Sequence, residues 1–316
     1  RRRQMDNIKV AFFGTPKFST GVLESLHNNK AVTLSAVITG EDKKSGRGQK
    51  TQPTPVAQCC ELNNIDVFKT SSINKEKVIL QTLKDCDVFI VLAFSQFLSE
   101  EVLNTPKMGC YNIHTSLLPK YRGAAPIQYA LLNGDKETGI CIQRMVKKMD
   151  AGDIVLQEAV VISDSETSLS LFNKLEKMCM PLVDNFIELL QKENFRYVSQ
   201  NEEEVTYAPT IKKEDGHITF KNQTHQEIIN KIRAFTPWPG TYTFINDMRI
   251  KIHEVEIDEK SIEAGVIDTS LGTLNVGTKD KALRIKKVQL EGKKTVNDFE
   301  FINGHKNKFD QFILTN

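Results

Sequence analysis

Apolar strand-like runs that alternate with helical periods constrain this chain more than any other feature. Ile8–Phe13, Ala31–Ile38, Asp87–Phe94 and Gly109–His114 read as buried strands. Between them lie helical patterns, one with Phe18, Val22, Leu23 and Leu26 on a single face and another over Lys75–Leu83. Strands separated by helices need right-handed crossovers, which predicts an α/β domain with a mostly parallel sheet. In such a sheet ligands bind outside the carboxyl ends of the strands. Gly14, Phe94 and His114 then share one rim.

The pattern changes later in the chain. Thr167–Lys192 reads as a long amphipathic helix, which Pro181 is expected to kink or split. Lys192–Gly216 is polar and aperiodic and reads as a linker, placed at 194–211. Beyond a helix near Gln226–Phe235, short strands separated by turn signals predict a small antiparallel barrel over 212–316. The α/β domain is assigned to 5–193. Met5 is expected to be the natural start, with Arg1 to Gln4 as added residues; a trimmed mitochondrial presequence is the alternative.

Composition narrows the function classes. The chain of 316 residues has 40% hydrophobic and 26% charged residues and a net charge of +2, so any polyanion must meet local basic patches. No run reaches the length of a membrane span. The six cysteines form no C-x-x-C pair and no zinc pattern, and they read as buried free thiols in a reducing compartment. No metal is expected.

Chemistry concentrates at the end of one strand. Asn112 and His114 stand at i and i+2, so their side chains point to the same side. An amide and an imidazole converging on one point can hold an oxyanion, and the imidazole can also carry a proton. Asp150, in Lys147–Val155, can orient that imidazole; simple turn chemistry is the alternative. Gly14-Thr15-Pro16 lacks a dinucleotide fingerprint and reads as a tight turn. The loop Glu41–Pro55 carries Lys43, Lys44, Arg47 and Lys50, which suits a phosphate backbone or a solvated surface. Lys120 and Arg122 either attract terminal phosphates or are solvated. Trp238 reads as a domain-packing residue first and a stacking surface second.

These residues carry a resemblance. The segment GCYNIHTSLLPKYRGAAPIQYALLNGDKETG (Gly109–Gly139) resembles the signature of the folate-dependent formyltransferase family, and AFFGTPKFS resembles its opening. GRGQKTQPTPV (Gly46–Val56), IRAFTPWPGTYTF (Ile232–Phe244) and LEGKKTVNDFEFINGHK (Leu290–Lys306) resemble the branch that acts on methionyl-tRNA. The resemblance implies a Rossmann-like domain joined to an OB-like barrel. It implies formyl transfer from 10-formyltetrahydrofolate to the methionine amine of initiator tRNA, for translation initiation. It also implies a monomer that meets tRNA and folate but no membrane, in a bacterial cytoplasm or a mitochondrial matrix. Asn112, His114 and Asp150 match the catalytic positions. Phe94, Ser95, Gln96 and Phe97, with Ser116, Leu117, Leu118 and Pro119, match the folate side. The segment Leu92–Leu98 is expected to wall the pterin with apolar side chains and to bond it through its backbone. Lys43, Lys44, Arg47 and Lys50 match the tRNA loop. Lys286, Lys287, Lys293, Lys294, Lys306 and Lys308 are expected to add a basic patch on the barrel. The chain departs from the family at Thr39–Asp42, Met149 and Ala93–Phe97. A formyltransferase for a small amine is the nearest rival, and a non-catalytic nucleic-acid-binding barrel the rival from another class.

Overall fold

The computed structural model describes residues 7–45, 50–308 and 311–315. Arg1 to Gln4 and Met5 lie outside the described residues, as does Arg47 with 46–49. The chain divides into two compact units. One comprises Arg1–Pro126, Glu137–Val161 and Phe172–Ala208; the other comprises Ile127–Lys136, Ile162–Leu171 and Pro209–Asn316.

The first unit opens with β1 (Ile8–Gly14), α1 (Thr20–Asn28) and β2 (Val32–Thr39). A hairpin of β3 (Lys43–Ser45) and β4 (Lys50–Gln52) follows, then α2 (Pro55–Asn63), β5 (Phe68–Lys69) and α3 (Lys77–Leu83). Next come β6 (Val88–Leu92), α4 (Glu100–Leu103), β7 (Cys110–His114) and β8 (Arg122–Gly123). After α5 (Pro126–Leu132), which belongs almost wholly to the second unit, the chain forms β9 (Glu137–Arg144), β10 (Ile154–Val161), α6 (Ser168–Gln191), whose first turn also belongs to the second unit, and β11 (Tyr207–Ala208).

Seven strands make one sheet in the order β10-β9-β7-β6-β1-β2-β5. The strands from β7 to β5 are parallel to one another, while β9 and β10 close the other edge antiparallel. All of β6 is buried, as a strand covered on both faces requires. On one face Phe13 packs against Phe89 and Phe94, with ring centroids 5.3 and 5.4 Å apart, beside Ile79 and Leu83 of α3. On the other, Phe186 of α6 meets Tyr111 edge-on at 4.8 Å.

Pro181 does not split α6, which runs unbroken from Ser168 to Gln191. An interior proline costs a helix about 3 kcal/mol. Here the ring points to solvent, while Cys179, Leu182, Val183, Phe186 and Ile187 remain buried on either side of it. Continuous burial of that stripe offsets the lost backbone bond.

The second unit holds α7 (His225–Ala234), β12 (Thr241–Ile245), β13 (Met248–Asp258), β14 (Ile267–Asp268), β15 (Asn275–Gly277), β16 (Ala282–Leu290), β17 (Thr295–Asn297), α8 (Asp298–His305) and β18 (Leu314–Thr315). Its antiparallel sheet, in the order β14-β15-β16-β13-β12-β18 with β17 on β16, is a nearly closed barrel. Asn246 and Asp247 join β12 to β13 with φ of 48° and 61°, the left-handed pair that a two-residue hairpin turn needs. Ile218, Ile250, Ile252, Leu283, Ile285 and Phe301 fill the interior. Lys286 and Lys287 are engaged by Glu254 and Glu256 at 2.6 to 3.4 Å, so they do not form a free basic patch. No ion pair among the described residues involves Lys293, Lys294, Lys306 or Lys308. Trp238 is about half exposed.

All six cysteines are free and buried. Burial pushes the Cys60, Cys141 and Cys179 thiols up to about 12 and those of Cys59 and Cys86 to about 11. At pH 8 the folded protein is therefore expected to leave all six unreacted on the timescale of a free thiol, and to react at all six once unfolded. A colorimetric thiol count with and without denaturant measures this; a fast-reacting thiol in the folded protein would contradict it.

Candidate active site

Asn112 and His114 end β7, between β6 and β9. Register pairs Asn112 with Gln143 and His114 with Cys141. Directly paired residues share a face of the sheet, so Asn112, His114 and Gln143 lie on one side. His114 is buried. Its Nε2 stands 2.9 Å from the Tyr121 carbonyl oxygen, which can only accept, so Nε2 carries a hydrogen. Its Nδ1 stands 3.7 Å from Asp150 Oδ1. Both ring nitrogens thus face protein acceptors, Nε2 at hydrogen-bond distance and Nδ1 beyond it. The Asn112 amide, without a partner among the described residues, brings the open N–H.

Asp150 is held from every side. Its φ is +52°, its Oδ2 accepts from Gly123 N–H at 2.9 Å, and its Oδ1 accepts from Gln143 Nε2 at 2.8 Å. The next turn is equally confined. A side chain at Gly152 would collide with the Arg144 carbonyl oxygen. Gly123 has φ of +123°, and a Cβ there would come within 2.7 Å of the Ala208 carbonyl oxygen.

Arg122 is neither solvated nor free for a phosphate. It is 1% exposed, and its Nε and Nη2 donate to Gln200 Oε1 at 3.0 and 2.9 Å. Nη2 also meets Glu202 Oε1 at 2.8 Å, and Lys148 reaches the second Glu202 oxygen at 2.8 Å. A loop arginine flanked by Tyr121 and Gly123 gives no sign in sequence of the chain that covers it. Gln143 was legible only as one polar side chain in an apolar strand, and Gln200 carried no signal within its aperiodic stretch.

The remaining expected residues divide. The loop after β6 and the loop after β7 leave the carboxyl ends of adjacent parallel strands, on one rim. Within the first, Phe94 and Leu98 turn into the core, so they do not wall a pterin. Gln96 is spent on the Ile73 N–H and the Thr70 carbonyl, at 3.0 and 2.7 Å. Phe97 is 63% exposed and is a large apolar side chain of that loop in solvent, near Ser95 at φ +60°. In the second, Ser116 is buried and donates to the Lys120 carbonyl at 2.6 Å, and Leu118 packs on Cys141 and Ile154. Leu117 and Pro119 are half-buried. Lys43 and Lys50 are exposed on the β3–β4 hairpin, with Lys44 between them in β3; Asp42 beside them is paired with Lys69 at 2.8 Å. Among the described residues no group of His, Cys, Asp or Glu is arranged to hold a metal. A depression of about 380 Å³ beside Gly152 is lined by Glu100, Arg144, Lys147 and Asp153 but includes neither Asn112 nor His114.

Hydrogen bonds from Arg122 and then Lys148 hold the Glu202 carboxyl down to about 2, against an ordinary 4.5. A depressed folded value adds stability above pH 4.5 that is lost as pH falls toward about 2. Melting wild type beside Glu202→Gln is expected to show a stability gap above pH 4.5 that closes toward pH 2. A gap constant across that window would break the assignment.

The formyl transferase family model matches residues 7–182, and the model of the formyl transferase C-terminal domain matches 210–306. Methionyl-tRNA formyltransferase of Thermotoga maritima is 38% identical over 301 residues, 94% of this chain and 95% of that one. The Lactobacillus acidophilus enzyme of the same name is 38% identical over 304 residues, 95% and 96% of the two chains. Among solved structures, the sugar 3N-formyl transferase WlaRD, crystallised with dTDP and 5-N-formyl-THF, superposes with a TM-score of 0.66 at 21% identity, covering 92% of this chain and all of its own. HypX from Aquifex aeolicus, in complex with tetrahydrofolic acid, superposes at 0.61 and 14% identity, over 96% of this chain and 48% of that one. The two structures show the fold; the sequence relatives, at this identity over nearly full length, show that the chain belongs to the methionyl-tRNA formyltransferase family.

Proposed function

We propose that this enzyme transfers the formyl group of 10-formyltetrahydrofolate to the amino group of methionine on initiator methionyl-tRNA, supplying formylated initiator tRNA for translation. The observation that carries this reading is the open Asn112 amide beside the His114–Asp150 pair, 3.7 Å apart, at the end of a central strand in a chain of this family. The amine attacks the formyl carbon, and the tetrahedral intermediate carries an oxyanion. Asn112 donates to that oxygen, and the charge of His114 stabilises it. The amine loses one proton and the departing folate nitrogen gains one, so the overall transfer is proton-neutral. His114 relays that proton from its Nδ1 side, where the contact to Asp150 is longer than a hydrogen bond and therefore open to exchange.

The loops Phe94–Phe97 and Ser116–Pro119 hold the folate. The exposure of Phe97 and Ser95 supports their reaching it, while Phe94 and Gln96, buried or hydrogen-bonded elsewhere, brace the loop. The β3–β4 hairpin with Lys43, Lys44 and Lys50 meets the acceptor arm, as does Arg47 of the sequence between its strands, and the barrel over 212–316 binds tRNA. The protein works as a monomer in a bacterial cytoplasm or a mitochondrial matrix; its relatives are bacterial translation enzymes, and no helix of the described residues is long and apolar enough to cross a membrane.

A transfer assay with 10-formyltetrahydrofolate tests the acceptor, run with initiator methionyl-tRNA and, separately, with a nucleotide-linked amino sugar. The tRNA is expected to be formylated and the sugar not; the reverse result would assign the protein to the small-amine formyltransferases. In the same assay Asn112→Ala is expected to lose about 2.7–4 kcal/mol of transition-state stabilisation, a roughly hundred- to thousand-fold fall in rate. A folded Asn112→Ala enzyme above half the wild-type rate would remove the residue from the chemistry. Arg47→Ala is expected to raise the tRNA requirement about tenfold or more with folate binding unchanged, since a guanidinium on phosphate or base edges contributes on the order of 1–3 kcal/mol. A matching loss of folate affinity would place that arginine in the common site instead.

A further inference from the structure

We infer that residues 197–208 form a strap that fixes the geometry of the His114–Asp150 pair, with Gln200 as its positioning residue. The inference rests on the reading of that pair as catalytic.

The segment was expected to be a linker. Instead it is bonded along its length to the two loops that carry the site. The Tyr197 hydroxyl meets the Tyr111 hydroxyl at 2.7 Å, and Val198 exchanges backbone bonds with Ile154 at 2.8 and 2.9 Å. Ser199 donates to Asp153 at 2.9 Å. At the other end, the Thr206 hydroxyl accepts from Tyr121 N–H and the Thr206 carbonyl accepts from Arg122 N–H, both at 2.9 Å. Tyr207 and Ala208 pair in parallel with Arg122 and Gly123. One side of the segment therefore holds the loop whose Tyr121 carbonyl faces His114 and whose Gly123 N–H faces Asp150. The other holds the turn that contains Asp150 itself.

Gln200 joins the two sides. Arg122 offers two N–H donors to its Oε1, which forces the amide oxygen toward the guanidinium and the amide nitrogen away from it. That nitrogen donates to the carbonyls of Asp150 and Gly152, at 2.8 and 2.7 Å, and lies 3.4 Å from Gln143 Oε1. Gln143 in turn must present its own amide nitrogen to Asp150 Oδ1. Each amide is oriented by the one before it, and the series ends on the carboxylate. The turn at Asp150 is in the left-handed region, which a non-glycine residue keeps only where its surroundings hold it there. Without Gln200 the turn loses its two carbonyl partners, and the carboxylate can drift from His114.

Gln200→Met keeps the length of the side chain and removes every one of these bonds. In steady-state assays it is expected to lower kcat about ten- to hundredfold, the scale of an ångström of misplacement. KM for both substrates is expected to stay within about twofold, and the protein to melt cooperatively. Gln200→Glu, which keeps an acceptor for Arg122 but loses both donated bonds, guards against a folding failure and is expected to be as slow. Either variant folded with wild-type kcat would overturn the inference, as would a loss confined to KM. Asp150→Asn separates the premises. If it is slow while the Gln200 variants run normally, the strap alone fails; if it matches wild type, the catalytic reading of the pair fails and the strap with it.

Discussion

The carboxylate of Asp150 is the point on which the site's geometry converges. One oxygen accepts from the loop after β7, through Gly123; the other accepts from the sheet, through Gln143; and the carbonyl of the same residue accepts from Gln200. A carboxylate bonded through both oxygens has little rotational freedom, and the imidazole beside it is pinned separately by the Tyr121 carbonyl. The two groups are fixed by different elements, and their 3.7 Å separation follows from how those elements are tied together. Rigidity of this kind costs conformational entropy on folding, which the buried polar bonds must offset.

The rim carries backbone strain at the same places. Ala93, Ser95, Tyr121 and Asp150 all have φ between 51° and 63° without being glycine. Residues in that region cost on the order of 1–3 kcal/mol each and persist where packing and hydrogen bonds over-determine them. Phe94 supplies that constraint in its loop: its ring sits in the core between two left-handed neighbours, and Gln96 ties the chain just beyond. The core phenylalanine and the bonded glutamine together fix the backbone of the loop after β6.

Much of this was legible in the sequence and some was not, for physical reasons. The strands over Ile8–Gly14, Val32–Thr39, Val88–Leu92 and Cys110–His114 lie where apolar runs sit, since a strand buried on both faces leaves no polar alternation to misread. Asn112, His114 and Asp150 stood out because polar groups at strand ends and turns are few and chemically distinct. Arg122 did not, because its burial depends on Gln200 and Glu202, about eighty positions along the chain, and no local pattern encodes such a contact. Pro181 misled in the opposite sense: the local rule for proline holds, but the buried stripe around it outweighs the rule. Lys286 and Lys287 read as free charge because the carboxylates that meet them, Glu254 and Glu256, lie on the paired strand β13.

That pairing bears on how a polyanion would meet the barrel. A lysine already within 2.6 to 3.4 Å of a carboxylate releases no net counterion charge to a phosphate until that pair is broken. Lys293 and Lys294, in the turn after β16, and Lys306 and Lys308, after α8, have no such debt among the described residues. The affinity of the barrel for a phosphate backbone should therefore come from those turn and helix-end lysines, with the β13–β16 face contributing little. The same reasoning applies to the β3–β4 hairpin. Asp42 is neutralised by Lys69 outside the hairpin, so Lys43 and Lys50 keep their charge for a partner. Solved sugar formyltransferases share this fold at about a fifth identity, so the fold itself cannot select the acceptor. Selection has to reside in which basic side chains are left unpaired; among the described residues of the barrel these include Lys293, Lys294, Lys306 and Lys308, and Lys251 on β13, while Lys286 and Lys287 are neutralised.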